Sequence, residues 1–565
     1  MNDEKTRSSA PVTEQAPSAE TPRPGTGTST RAGGRQAIDA AGMKQLLGRN
    51  IFSSVGAKVL YLVTRFFLPP LILAYISLEE YGVWSLAFIL IGYLGMSAFG
   101  VSNVYIRYVA QFHAQGQEHR IGDLLSTGVT FVSLVGLVLL GLLWLGLPAL
   151  LDAVSVSPDL HRTATILIFG SAAIFVLELS WGAFAYVLTG LQRIVQQNLV
   201  WVTTFMLETV LVVVFLFLGF GVIGLLYAFV IRYLVSILIN VWLCFRAVPG
   251  LRLSLRQFNR ADLSLFWRYG GIVQISGFLG MFLRSIEKLI AGVFINVQAT
   301  GLFDVAQKFP VMATSIPSSM NAVFLPATSY MHAQARNEEL LRLYLNGARY
   351  INLMTGVMMG FLAAFAAPLM TAWIGHDPQL ALAPLILALF TLPFQLNVLT
   401  GPASNIYRGM GIPARELIYP LSQLVLVVAL VGGGFWLYGV TAVVIAVAVA
   451  LAMVLSALIY MAYTNQFLAL SQLRFIREAL LPGLWPYFTG LGVWLLLQPW
   501  IDHVATERWD SALVVVVAGI LYGLLQSALL WYGILGEEEK AYVADKVRAV
   551  FGRFRRRRAM AEASQ

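Results

Sequence analysis

The chain reads as an all-α polytopic membrane protein of about fourteen transmembrane helices, arranged as two parallel-repeat six-helix lobes plus two C-terminal helices. Three observations predict this. Of 565 residues, 58% are hydrophobic and 12% charged, and the mean hydropathy is +0.73, too apolar for a soluble domain. Apolar runs of about twenty residues, the length a helix needs to cross a bilayer, recur almost end to end. The stretch from Arg65 to Gly128 also returns in register, 219 positions later: Arg65 as Arg284, Tyr81-Gly82 as Thr300-Gly301, His113-Ala114-Gln115 as His332-Ala333-Gln334, and Leu124 with Gly128 as Leu343 with Gly347.

Composition also excludes several classes. Cys244, the one cysteine, rules out an internal disulfide and a cysteine metal cluster. The net charge of +9 comes mostly from basic residues between apolar spans, so it reports topology and not a nucleic-acid surface. His113 and His332 sit in loops among Gln and Ala and do not make a metal site. No cofactor is expected.

Residues 1–45, rich in Ser, Thr, Pro and Gly, read as a disordered cytoplasmic tail with no signal-peptide core, leaving the first span to act as the insertion signal. Residues 46–246 form the N-terminal lobe, with spans near 51–77, 82–108, 124–150, 162–189, 197–218 and 222–246. A basic cytoplasmic linker at 247–264 leads to the C-terminal lobe at 265–465, with spans near 265–296, 301–330, 342–374, 380–407, 416–437 and 439–464. Two further spans, 480–500 and 511–535, occupy 466–536, and a basic cytoplasmic tail closes the chain at 537–565.

Hairpin tips such as Ser77-Leu78-Glu79-Glu80, Asn296 to Thr300 and Gly375 to Pro378 are poor in basic residues. The opposite ends carry Arg107, Arg120, Arg193, Arg246, Arg336, Arg342, Arg408, Arg415 and Arg474. The positive-inside rule makes those ends, and both termini, cytoplasmic. Six crossings separate the two copies, so they run in the same direction through the membrane. The run Arg555 to Arg558 is either one more topological signal or a dock for anionic membrane lipids, at about 1 kcal/mol per basic residue near the surface.

Ionisable residues inside spans are costly and tend to face a bundle interior or a wet cavity. Span one carries Lys58 and Arg65, two helical turns apart on one face. Span seven carries Arg284 and Lys288 with Glu287 beside them, and span eight carries Asp304 and Lys308. Since Arg65 and Arg284 are repeat-equivalent, Lys58, Arg65, Arg284, Lys288 and Lys308 are the expected cationic wall of a cavity between lobes, suited to a phosphate ester. The alternative is that Asp304 with Lys308, and Glu287 with Arg284 or Lys288, are neutralised structural pairs. Glu178, Glu208 and Asp304 are the candidate ion-coupling carboxylates, with Arg232 a candidate partner for Glu178 or Glu208. Prolines recur in the spans, and span eight, with Pro310, Pro317 and Pro326, is the candidate moving element.

The segment from Asn50-Ile51-Phe52-Ser53-Ser54 through Glu79-Glu80-Tyr81-Gly82-Val83-Trp84-Ser85-Leu86 to Arg107-Tyr108-Val109-Ala110 resembles the opening of the polysaccharide transporter family, which includes the O-antigen flippases. That family shares a superfamily with lipid II flippases and the multidrug and toxin extruders. The resemblance implies alternating access in the bacterial inner membrane and transfer of an undecaprenyl-diphosphate-linked oligosaccharide to the outer leaflet. It also implies polysaccharide polymerase and glycosyltransferases as candidate protein partners, and helices one, two, seven and eight facing the cavity.

Two other functions stay open. An ion-coupled multidrug-type exporter would want carboxylates to dominate the cavity. A membrane glycosyltransferase or polymerase would want a sizeable loop around its site. The loops expected outside are short, and the chain has no Gly-Lys-Ser/Thr phosphate loop, so neither covalent chemistry nor direct ATP drive is expected.

Overall fold

The computed structural model describes residues 60–61, 63–96, 101–251, 271–321, 324–504, 507–534, 536–537 and 540–541, and every regular element among them is helical. Lys58, most of the basic linker and both tails lie outside the described residues. Among the described residues, nine helices are long and apolar enough to span a membrane, or ten with a bent pair at 337–374. Large apolar side chains such as Leu134, Leu145, Trp436 and Leu496 point outward, as they do where lipid is the solvent.

The first lobe comprises α1 (Val63–Leu73), α2 (Leu78–Met96), α3 (Val101–Ala114), α4 (Glu118–Ala153), α5 (His161–Trp181), α6 (Ala183–Gly190), α7 (Ile194–Phe217) and α8 (Gly221–Ala247). The second comprises α9 (Gly271–Arg284), α10 (Ile286–Phe294), α11 (Val297–Ala306), α12 (Lys308–Met320), α13 (Phe324–Ala333), α14 (Asn337–Ala364), α15 (Ala366–Ile374), α16 (Ala383–Leu399), α17 (Gly401–Gly409), α18 (Ile418–Tyr438) and α19 (Ala442–Phe467).

The repeat is visible residue by residue. Helix starts at Leu78 and Val297, ends at Ala114 and Ala333, and starts at Glu118 and Asn337 all differ by the same 219 positions. So do three pairs in the left-handed region: Gly116 (φ 71°) with Ala335 (φ 56°), Gln192 (φ 61°) with Gly411 (φ 76°), and Gly250 (φ 88°) with Ala469 (φ 53°). The register therefore extends well beyond Gly128. Packing repeats as well: a Cβ on Gly190 would lie 2.9 Å from Val109 Cβ, and one on Gly409 would lie 2.8 Å from the equivalent Thr328 Cβ.

The lobes meet where α2 crosses α11. A Cβ on Gly82 would collide with the Val297 carbonyl, and one on Gly301 would lie 3.0 Å from the Leu78 carbonyl and 3.2 Å from Gly82 N. Leu78 and Val297 are repeat-equivalent, as are Gly82 and Gly301, so the contact is reciprocal, as a pseudo-twofold axis requires. Only glycine admits backbones this close.

Several expected continuous spans are interrupted. Span nine, expected at 342–374, bends by 76° between α14 and α15. Pro368 has no N–H for the Ala364 carbonyl, and its ring crowds that turn. Span eight breaks at Gln307, where Pro310 withholds the same bond from Ala306. Span seven breaks at Ser285 (φ −124°, ψ 12°) without a proline.

Helices α20 (Leu481–Val504) and α21 (Arg508–Leu529) pack on the second lobe. Gly356 and Gly360 of α14 meet the backbone at Gly483 and Pro486. Asn352 Nδ2 donates to the Ala479 and Leu480 carbonyls at 2.9 Å, and Gln395 Nε2 donates to Asn352 Oδ1 at 2.7 Å and to the Gly483 carbonyl at 2.8 Å.

Candidate functional site

Arg65, on α1, is not an isolated cation. Its guanidinium donates to Glu208 Oε1 and Oε2 of α7 at 2.9 and 3.1 Å, and Arg232 of α8 donates to the same Oε2 at 2.8 Å. Glu208 is 2% exposed, so both guanidinium groups meet a carboxylate with almost no access to water. Two cations around one carboxylate leave this cluster one net positive charge. Glu178 is not part of it by hydrogen bonding, and its buried Oε2 has no hydrogen-bond partner among the described residues.

A second cluster forms across the seam. Asp304 accepts Lys288 Nζ at 2.7 Å on one oxygen and Lys308 Nζ at 2.7 Å on the other, and it also takes a 3.0 Å hydrogen bond from the Tyr81 hydroxyl of the first lobe. The lobes are tied again at Phe66. Pro70 has no N–H to offer its carbonyl, and Trp373 Nε1 donates to it at 2.8 Å. The Trp373 ring packs on Phe66 and Phe309, and its own carbonyl accepts Arg508 of α21 at 2.8 Å.

Arg284 has a different setting. It is exposed on the wall of a cavity of about 730 Å³ inside the second lobe, and has no carboxylate partner among the described residues. Thr314, Ser315, Ser318, Asn397, Ser404 and Gln423 supply polar lining, and Glu287 joins them. Opposite them Arg408 holds Glu416 through two hydrogen bonds, at 2.8 and 2.6 Å. Hydroxyls and amides at this density can bond sugar hydroxyls, and a free guanidinium can take two phosphate oxygens.

The structure thus places Arg65 with Glu208, Lys288 and Lys308 with Asp304, and Arg284 apart from both. Sequence reasoning gave no site role to Tyr81 or to the Arg408–Glu416 pair, and read Glu287 as a structural partner of Arg284 or Lys288. The pattern Tyr81-Gly82 and Thr300-Gly301 marked the crossing but not Tyr81's hydrogen bond. No set of three or more His, Cys, Asp or Glu among the described residues is arranged to hold a metal ion.

Two solved structures share the fold. One is the lipid II flippase MurJ in an inward closed conformation, with TM-score 0.61, 14% identity, and coverage of 85% of this chain and 98% of that one. The other is an inward-facing multidrug resistance MATE family transporter of the MOP superfamily, with TM-score 0.56, 17% identity, and coverage of 69% and 93%. The class is thus a multi-pass helical membrane protein with the fold of MOP-superfamily transporters. Within that class the chain belongs to the polysaccharide biosynthesis protein family, whose model matches residues 72–379. No curated protein sequence matches it at a significant level.

Proposed function

We propose that this protein is a flippase that moves an undecaprenyl-diphosphate-linked oligosaccharide across the bacterial inner membrane by alternating access between its lobes. The observation that carries the reading is the second-lobe cavity, where Arg284 has no paired carboxylate among the described residues and shares the wall with hydroxyl and amide side chains. In this reading Arg284 takes the diphosphate and the polar lining takes the sugars. Lys308 and Arg65, about one-third exposed, lend the seam further positive charge, as do Lys288 and Lys58. The lipid tail stays between helices, in the bilayer. Glu178, Glu208 and Asp304 remain candidates for ion coupling, and the polymerase and glycosyltransferases of the same pathway are the proposed partners.

The test is transport of a short-chain polyprenyl-diphosphate oligosaccharide into vesicles carrying the purified protein. Arg284→Ala should lower the rate about tenfold or more, the scale of one lost charge-assisted contact of about 1.5–3 kcal/mol. Arg284→Lys should restore part of it. A rate unchanged in Arg284→Ala, or robust export of a cationic dye in place of the oligosaccharide, overturns the reading in favour of a multidrug-type exporter.

A further inference from the structure

The bend between α14 and α15 leaves a short helix lying across the molecule. α14 has 28 residues, about 42 Å of helix, and the hydrocarbon core of a bilayer is about 30 Å thick, so α14 can cross it unaided. α15, turned by 76° from that axis, is not needed for the crossing. It runs from the expected outer end of α14 to the first lobe. There its Trp373, 5% exposed, donates Nε1–H to the Phe66 carbonyl of α1 at 2.8 Å.

The need for that donor is written into the sequence. Within a helix the Phe66 carbonyl could take an N–H from position 69 or 70, and both are proline. A carbonyl left without a donor inside a membrane protein is costly, and Trp373 supplies the donor from the other lobe. Its ring meets Phe66 at 5.7 Å and Phe309 at 4.9 Å, and those two rings meet each other at 5.3 Å. Phe66 and Phe309 directly follow Arg65 and Lys308, one cation from each seam cluster.

The end of α15 is held from a third direction. The last carbonyls of a helix have no partner within it and favour a cation. Arg508, at the start of α21, donates Nε–H to the Ala372 carbonyl at 3.2 Å and a terminal N–H to the Trp373 carbonyl at 2.8 Å. A tie between the two lobes thus leans on a helix that belongs to neither.

We propose that α15 is a cross-bar that closes the expected outer side of the seam in this conformation, and that Arg508 of α21 sets how firmly it holds. The proposal rests on the transporter reading and gives the two C-terminal helices a task in the cycle. Parting the lobes breaks the bond from Trp373 to Phe66, and the freed carbonyl then needs another donor. Water entering from outside supplies one, so the bar lets go as the seam floods and re-forms as it dries. Neither Trp373 nor Arg508 takes part in the crossing of α2 and α11, so changes at either leave that contact in place.

The test uses the full-length protein in nanodiscs without substrate. In a Cys244→Ala background, spin labels at Ser155→Cys and Val440→Cys, between α4 and α5 and between α18 and α19, report the separation of the lobes at tips expected outside. A second pair, Ser155→Cys with Gln379→Cys, follows the loop that leaves α15. Trp373→Phe keeps an aromatic ring and removes the N–H. It should raise the population at long distance about two- to tenfold in both pairs, the scale of one hydrogen bond. Arg508→Gln should act in the same direction, and Arg508→Lys, which keeps a charge at the helix end, should stay near the parent. Trp373→Phe distributions that match the parent overturn the proposal. So does lengthening confined to the Gln379 pair, which would make α15 a local anchor and not a tie between lobes. An Arg508→Gln protein that matches the parent overturns the part given to α21. Should Trp373→Phe fail to fold, Arg508→Gln, on the exposed start of α21, decides by the same distances. Oligosaccharide transport that is absent in vesicles while the labels respond as expected counts against the flippase reading alone.

Discussion

Glu208 receives two guanidinium groups in a place almost closed to water, and what it does for the first lobe follows from that. Buried pairs add little over a well-packed apolar trio, but removing one member leaves charge uncompensated, at about 3–5 kcal/mol. Glu208→Ala should therefore lower the detergent-solubilised protein's thermal stability by an amount in that range. The triple change that also makes Arg65→Leu and Arg232→Met should recover most of it. A single variant as stable as the parent would mean that the pairs contribute nothing. Arg284 should behave in the opposite way: with no carboxylate to leave exposed, Arg284→Ala should barely move stability while it lowers transport.

At the scale of elements, backbone contact between α14 and α20 fixes the last two helices to the second lobe. Gly356→Val pushes a side chain into the Gly483 carbonyl, and overpacking of this kind costs about 1–3 kcal/mol. Thermal unfolding should show that loss, whereas Gly432→Val, with nothing within 4 Å of its Cβ, should not. The spans were legible because apolar length is written locally. The breaks at Gln307 and Phe365 could be read from Pro310 and Pro368, but the break at Ser285 has no local mark. The charges divide in the same way. The pairing of Lys308 with Asp304, four residues apart in one expected span, could be foreseen. Arg65 with Glu208 and Tyr81 with Asp304 join residues 143 and 223 apart, and depend on how the helices pack. Arg408 looked like an orientation signal at the end of a span, and only the fold sets it against Glu416 on a cavity wall.

For the whole molecule, the reciprocal crossing of α2 and α11 is the contact that the proposed alternating access would make and break. A methyl group on Gly82 has no room against Val297 in this state. Gly82→Ala should therefore lengthen the distance between spin labels at Ser155→Cys and Gln379→Cys, placed in a Cys244→Ala background, and slow transport. Unchanged distances would mean that the crossing yields by a local shift and does not gate the outer end. A chain made of two copies of one unit also holds each ancestral residue twice, and the copies need not share a fate. The arginine at position 65 has become mortar between helices, while its twin at 284 still faces open space. The repeated unit thus carries one copy that holds the frame and one that, in the proposed function, meets the diphosphate.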